Sequence, residues 1–169
     1  FYNTPSSKIK SICVTGTNGK TTSVETFANM SNLLGYKSAY MSTINFSKDG
    51  SVLEKSNLTT PDAIKLHKNI KDSIEADAIY IALEASSHGL EQDRLIGLNI
   101  DYAILTSFSH DHLDYHGDIL SYQSAKEKLF LDLNPKKNII CVDSSFGKNL
   151  HSKLLKNNKV KIKMSQTPK

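Results

Sequence analysis

The strongest chemical signal in this chain is the run Gly16-Thr17-Asn18-Gly19-Lys20-Thr21-Thr22. Glycines let a backbone curl until several N–H groups point into one concavity. A helix that opens directly afterwards adds partial positive charge at the same place. Lys20 and Thr21 are the residue types that reach a β/γ-phosphate and a Mg²⁺ ion, respectively. The run therefore predicts a cradle for a nucleoside triphosphate, built by Gly16, Thr17, Asn18, Gly19, Lys20, Thr21 and Thr22. The longer phosphate-loop pattern has one more glycine, at the position held here by Val14, so this loop is a short variant. The competing reading is a plain strand-to-helix turn. Against it, a cation in the first turn of a helix is unfavourable unless an anion lies beside it.

Other residues have the right types for chemistry near such a loop. Glu84 closes the apolar run 78–83, and a carboxylate at the end of a buried strand can hold Mg²⁺ directly or through water. A loop acid or a helix cap is the plain alternative. Ser86, Ser87 and His88 follow at once with two hydroxyls and an imidazole. His110, His112 and His116 are three of the six histidines and fall in one short stretch, a density that suggests a metal or anion site. The stretch nearly matches the His-x-His-x-Asp-His pattern of dinuclear zinc hydrolases. Its third histidine comes one residue late, and no supporting motif surrounds His67, His88 or His151, which makes zinc the weaker reading. Arg94 is the one arginine in a chain that otherwise uses lysine. A planar two-pronged donor for phosphate or carboxylate and simple chance weigh about equally there. Lys126 follows Ala125 on an amphipathic pattern and reads, from its neighbours alone, as a surface lysine.

Elements must position these groups. Residues 9–14 read as a buried strand and 21–34 as a helix closed by Gly35. Residues 37–43 form a second strand and the polar 45–57 a loop or hairpin. Thr60, Pro61 and Asp62 spell a helix start, with Thr60 as N-cap, Pro61 at the first helical position and the helix running to about residue 75. Strands follow at 78–83, 102–105, 138–142 and 160–162, with helices at 121–132 and 146–155. Strands alternating with helices predict an α/β fold: a three-layer, mostly parallel sheet with helices on both faces, of phosphate-loop NTPase type. In such sheets ligands gather at the carboxyl ends of the strands. The loops 16–22, 84–88 and 106–116 all follow strands and are expected to converge on one edge.

The 169 residues suit one domain with its own core. No apolar run approaches membrane-spanning length and no signal peptide is visible, so a cytoplasmic setting without membrane contact is expected. Cys13 and Cys141 sit in strand-like runs and read as buried reduced thiols. Lysines 153, 156, 159, 161 and 163 make a basic tail without interleaved aromatics, a solvated surface and not a nucleic-acid site. The first residue is Phe1, which suggests a segment of a longer protein.

Taken together, the runs resemble the central ATP-binding domain of the Mur ligases, most nearly the branch of tripeptide synthetases. The matching pieces are Gly-Thr-Asn-Gly-Lys-Thr-Thr at 16–22, Thr-Thr-Pro at 59–61, Glu-Ala-Ser-Ser-His-Gly-Leu at 84–90 and Gln92-x-Arg94. They continue with Asp-His-Leu-Asp-Tyr-His-Gly at 111–117 and Tyr122-x-x-Ala125-Lys126 with Leu129-Phe130. The resemblance covers the chain from Phe1 to about Phe130; beyond that only a generic α/β pattern remains. All Mur ligases and the folylpolyglutamate synthetases share the phosphate loop, so another Mur-family or folylpolyglutamate-type ligase is the alternative.

The resemblance implies a ligase in peptidoglycan synthesis. ATP would phosphorylate the terminal carboxylate of UDP-MurNAc-L-Ala-D-Glu, and a diamino acid, diaminopimelate or lysine, would displace phosphate from the acyl phosphate. It implies that 16–22 bind ATP, with Lys20, Glu84, His112 and Lys126 as catalytic residues. Thr21 and Glu84 would hold one Mg²⁺, and His112 and a carbamylated Lys126 would support a second. Thr59, Thr60, Ser86, Gln92 and Arg94 would bind the UDP-MurNAc-dipeptide. Residues 1–169 would then be the middle of a three-domain, monomeric protein with no nucleic-acid or membrane partner, and alone would bind nucleotide weakly without ligating. One departure is Ser107, where family members often carry Asn.

Overall fold

The computed structural model describes residues 5–49, 52–55, 58–111 and 113–157. A short 3-10 turn at Pro5–Lys8 leads into β1 (Lys10–Thr15), α1 (Lys20–Leu33) and β2 (Ser38–Met41). The segment expected to be a loop or hairpin is a hairpin of β3 (Asn45–Ser47) and β4 (Val52–Lys55). Then come α2 (Ala63–Glu75), β5 (Tyr80–Glu84), α3 (Ser87–Glu91) and β6 (Tyr102–Leu105). The order closes with α4 (Leu113–His116), α5 (Ile119–Leu131), β7 (Lys137–Ile140) and α6 (Ser145–Lys156). The expected strand at 160–162 lies outside the described residues.

Among the described residues the strands form one seven-stranded sheet in the order β4-β3-β2-β5-β1-β6-β7. Strands β2, β5, β1, β6 and β7 run parallel, and the hairpin adds an antiparallel edge. Every residue of β1 after Lys10 is buried, because both faces of the sheet are covered. Ile12 and Val14 point to the side of Val24 and Ala28 on α1. Cys13 points to the opposite core, with Leu66 and Ile70 of α2, Leu129 and Phe130 of α5, and Phe146 and Leu150 of α6. The expected three layers are therefore present. Because β1 lies between β5 and β6, all parallel, the loops after these three strands meet at one edge.

Two expectations about elements need correction. The N-cap of α2 is Asp62, whose side chain accepts the N–H of Lys65, and not Thr60. The Thr60 hydroxyl is used elsewhere: it donates to the carbonyl oxygen of Glu84. Pro61, rigid and without an N–H, links the two roles. Lys126 is not a surface residue; it is 1% exposed, in the stripe where α5 packs inward. Both cysteines are free thiols, Cys13 buried and Cys141 only partly so. Burial pushes the Cys13 thiol far above its ordinary value, so it stays protonated and unreactive. No helix among the described residues is long and apolar enough to cross a membrane.

Candidate active site

The loop after β1 is strapped to the loop after β6. Thr17 N donates to Ser107 O at 3.0 Å and Asn18 N to Ser107 Oγ at 3.0 Å. The Ser107 hydroxyl in turn donates to Asn18 O at 3.1 Å, and Thr106 Oγ1 donates to the same oxygen at 2.7 Å. Serine at 107, short as it is, closes a two-way bond with the Asn18 backbone through its one hydroxyl. Gly16 makes this approach possible. It sits at φ +150°, and a Cβ there would lie 2.1 Å from Thr106 Oγ1 and 3.0 Å from Ser107 N and O. Gly16→Ala is expected to destabilise the chain by about 2–3 kcal/mol, through the steric conflict and the unfavourable φ together. A thermal melt within a degree of wild type would contradict this.

Helix α1 opens on Gly19 in the left-handed region, φ 84°, with no side-chain cap. Helices α2, α3, α5 and α6 are capped by Asp62, Ser86, Asp118 and Ser144. The first-turn N–H groups of α1 therefore face the cleft without a side-chain acceptor, as an anion site requires.

Two lysines meet at one oxygen. Lys20 Nζ donates to Gly16 O and Thr17 O, each at 2.9 Å, and Lys126 Nζ donates to Gly16 O at 3.0 Å. Burial lowers the Lys20 pKa below its ordinary value, partly offset by the negative charges of Glu84 and Asp111. Lys126 is pushed down to about 7, first by burial and then by the charge of Lys20. The Lys20 ammonium beside an uncapped helix terminus is a donor set that fits a polyphosphate, while the Lys126 amine next to it is held close to neutral.

Opposite them stands a carboxylate. Glu84, 1% exposed, accepts from Thr21 Oγ1 at 2.8 Å and from Thr43 N at 2.7 Å through Oε1, and from Thr43 Oγ1 at 3.1 Å through Oε2. Besides these neutral donors, the Lys20 charge also acts on this carboxylate. A hydroxyl and a carboxylate touching at the foot of a phosphate loop are a hard-oxygen pair that fits Mg²⁺. Thr43, at the end of β2, was not evident from sequence, because its role depends on β2 lying beside β5.

The rest of the site lies around a cleft of about 430 Å³ lined by Thr17 to Thr22, Thr59, Glu84, Ser86, His88, Arg94 and Lys126. Thr59 and Ser86 both line the cleft. Thr60 is fully buried beneath it: its hydroxyl bonds Ser86 Oγ at 2.9 Å and its carbonyl accepts Arg94 Nη1 at 2.6 Å. Gln92 is exposed and holds the Arg94 guanidinium through Oε1, while its amide donates to Tyr115 Oη at 3.0 Å. Arg94 is therefore oriented from two sides toward the cleft.

Of the histidine stretch, His110 and His116 lie among the described residues. His112 lies outside the described residues, His110 is exposed, and His116 is buried with Nδ1 3.3 Å from Glu91 Oε2. Among the described residues no three His, Cys, Asp or Glu side chains are grouped to hold a metal.

Residues 14–169 match the Mur ligase middle domain. The UDP-N-acetylmuramoyl-L-alanyl-D-glutamate–2,6-diaminopimelate ligase of Haemophilus ducreyi is 44% identical over 154 residues, 91% of this chain and 30% of that protein. A solved structure of a ligase with the same name has a TM-score of 0.79 at 34% identity, covering 94% of this chain and 33% of that one. The folylpolyglutamate synthetase of Helicobacter pylori has a TM-score of 0.63 over 95% of this chain and 45% of that one; at 21% identity the likeness is one of fold. The chain thus spans about a third of the length of the 2,6-diaminopimelate ligases it matches. With residues 14–169, nearly its whole length, matched by the middle-domain model, the chain belongs to the Mur ligase family.

Proposed function

We propose that the protein carrying this chain is an ATP- and Mg²⁺-dependent amide ligase of peptidoglycan synthesis. It joins 2,6-diaminopimelate to the terminal carboxylate of UDP-MurNAc-L-Ala-D-Glu. The observation that carries the reading is the meeting of Lys20 and Lys126 on Gly16 O, across from the Thr21–Glu84 pair. Lys20 as a donor for a triphosphate and the Thr21–Glu84 pair as acceptors for a metal line one cleft, as transfer of a γ-phosphoryl group requires. The names of the relatives supply the substrate class.

In this reading residues 16–22 bind the triphosphate and Lys20 leaves the loop carbonyls to follow charge onto the transferring phosphoryl group. Thr21 and Glu84 would hold one Mg²⁺, and His112 with a carbamylated Lys126 would support a second; bound there, the ions would supply charge screening for the phosphates. Carbamylation joins the neutral Lys126 amine to CO₂ by a new N–C bond and releases one proton. Arg94, Ser86 and Thr59 bind the nucleotide-sugar peptide, while Thr60 and Gln92 act beneath and beside them by orienting Ser86 and Arg94. The substrate carboxylate attacks the γ-phosphorus and ADP leaves. The incoming amine then attacks the acyl carbon, phosphate leaves, and the amine loses a proton.

The test offers the full-length protein ATP, Mg²⁺ and either UDP-MurNAc-L-Ala-D-Glu or a folate, with diaminopimelate, lysine or glutamate as the amine. Phosphate release is expected with the muramoyl dipeptide and diaminopimelate. Turnover of the folate alone would replace this reading with the folylpolyglutamate one, and a preference for lysine would correct the amine.

A further inference from the structure

Tyr122 is fully buried on α5, one turn before Lys126. Its hydroxyl lies 3.2 Å from Thr17 Oγ1. A threonine hydroxyl has one proton and two lone pairs. Thr17 gives the proton to Ser109 O at 3.1 Å and takes the Ser109 N–H at 2.9 Å, so the remaining lone pair makes Tyr122 the donor. Lys126 Nζ lies over the ring of the same tyrosine, 4.5 Å from its centroid. Lys126 then donates to Gly16 O. Two adjacent loop residues and two residues a helical turn apart are thereby linked into a closed circuit: Thr17, Tyr122, Lys126, Gly16. Phe108 and His116, each with its ring centre 5.3 Å away, flank the phenol and restrict its rotation.

We infer that Tyr122 is a positioning residue that sets the register between the phosphate loop and Lys126. Its hydroxyl fixes Thr17, and its ring keeps the Lys126 amine against the Gly16 carbonyl. The inference rests on the ligase reading above, in which loop and lysine serve one reaction. Because different atoms make the two contacts, substitution separates them. Tyr122→Phe keeps the ring and removes the donor; Tyr122→Leu removes both.

The experiment measures ATP KM and kcat for Tyr122→Phe, Thr17→Val and the double variant in the full-length protein, well below their melting temperatures. Tyr122→Phe is expected to raise ATP KM about 3- to 10-fold, the effect of one buried hydrogen bond, with kcat nearly unchanged. Added to Thr17→Val it should have little further effect, since the bond is already gone. Tyr122→Leu should also lose kcat, and in air-equilibrated buffer added bicarbonate should recover part of that loss but leave wild type and Tyr122→Phe, already carbamylated there, unaffected. An unchanged KM in Tyr122→Phe, or effects of the two single variants that simply multiply, would overturn the inference. If Tyr122→Leu does not fold, the Phe/Val cycle still decides. If wild type turns over no muramoyl substrate, the ligase reading fails on its own. Direct titration with ATP·Mg then judges Tyr122, by the same weakening in Kd or its absence.

Discussion

Lys20→Ala is expected to remove measurable ATP binding, a loss of roughly 100- to 1000-fold, or about 3–4 kcal/mol. Lys20 is the first residue of α1, whose terminus has no side-chain cap. Without nucleotide its ammonium rests on Gly16 O and Thr17 O, contacts a phosphate can replace at short range and in a partly desolvated site, where charge–charge attraction is strong. Alanine keeps the helix and removes the cation. The substitution should not cost stability. Lys126 still donates to Gly16 O, and removing the neighbouring positive charge relieves one of the causes that lower the Lys126 pKa. Titration calorimetry with ATP·Mg, alongside a thermal melt, separates the two effects. Wild-type affinity in Lys20→Ala would defeat the phosphate-loop assignment; lost affinity with a lower melting temperature would show that the lysine serves the fold.

That loop was legible because its chemistry is local: glycines, a lysine and a hydroxyl must be adjacent in sequence to do their work. Strand β6 was also legible to the residue, Tyr102–Leu105, since a parallel strand within the sheet is a continuous apolar run even where one of its faces is only partly buried. The misreadings concern residues whose environment comes from far along the chain. Thr60 looked like a cap because it precedes Pro-Asp; its hydroxyl is instead committed to the Glu84 carbonyl, 24 residues on. Helices α3 and α4, of 5 and 4 residues, are too short to show a helical period. Lys126 carried a readable signal. Tyr122, Ala125, Lys126, Leu129 and Phe130 are all buried and stand at i, i+3, i+4, i+7 and i+8, so the lysine lies in the middle of the inward stripe. Tyr122, counted as apolar, would have marked it. The pairing of Ser107 with Asn18 had no such signal, because a two-way bond depends on the sub-ångström placement of two loops.

The second large effect is expected at Lys126, and it has a pH signature that needs no substrate. Its folded pKa is about 7, lowered by burial first and by Lys20 second, against 10.5 for a lysine in water. Above about pH 7 the folded protein has released this proton while the unfolded chain still holds it up to about 10.5. Unfolding then takes up a proton, so stability should rise with pH across that window and lose this contribution as pH falls through 7. In CO₂-free buffer the melting temperature of wild type should climb between these limits more steeply than that of Lys126→Met; equal slopes would mean the amine is not held neutral. The same neutral amine is the nucleophile that CO₂ needs. Turnover should therefore drop when CO₂ is stripped and return with bicarbonate, more fully at pH 8 than at pH 6. Lys126→Ala should cut kcat by at least 100-fold, the scale of losing a charged group that acts on the transferring phosphoryl, with ATP affinity largely kept because Lys20 remains. A small carboxylate such as formate, diffusing into the space left by the side chain, should restore part of the rate to Lys126→Ala and none to Lys20→Ala. Rescue of both variants, or of neither, would remove Lys126 from the role of a lysine converted to an anion.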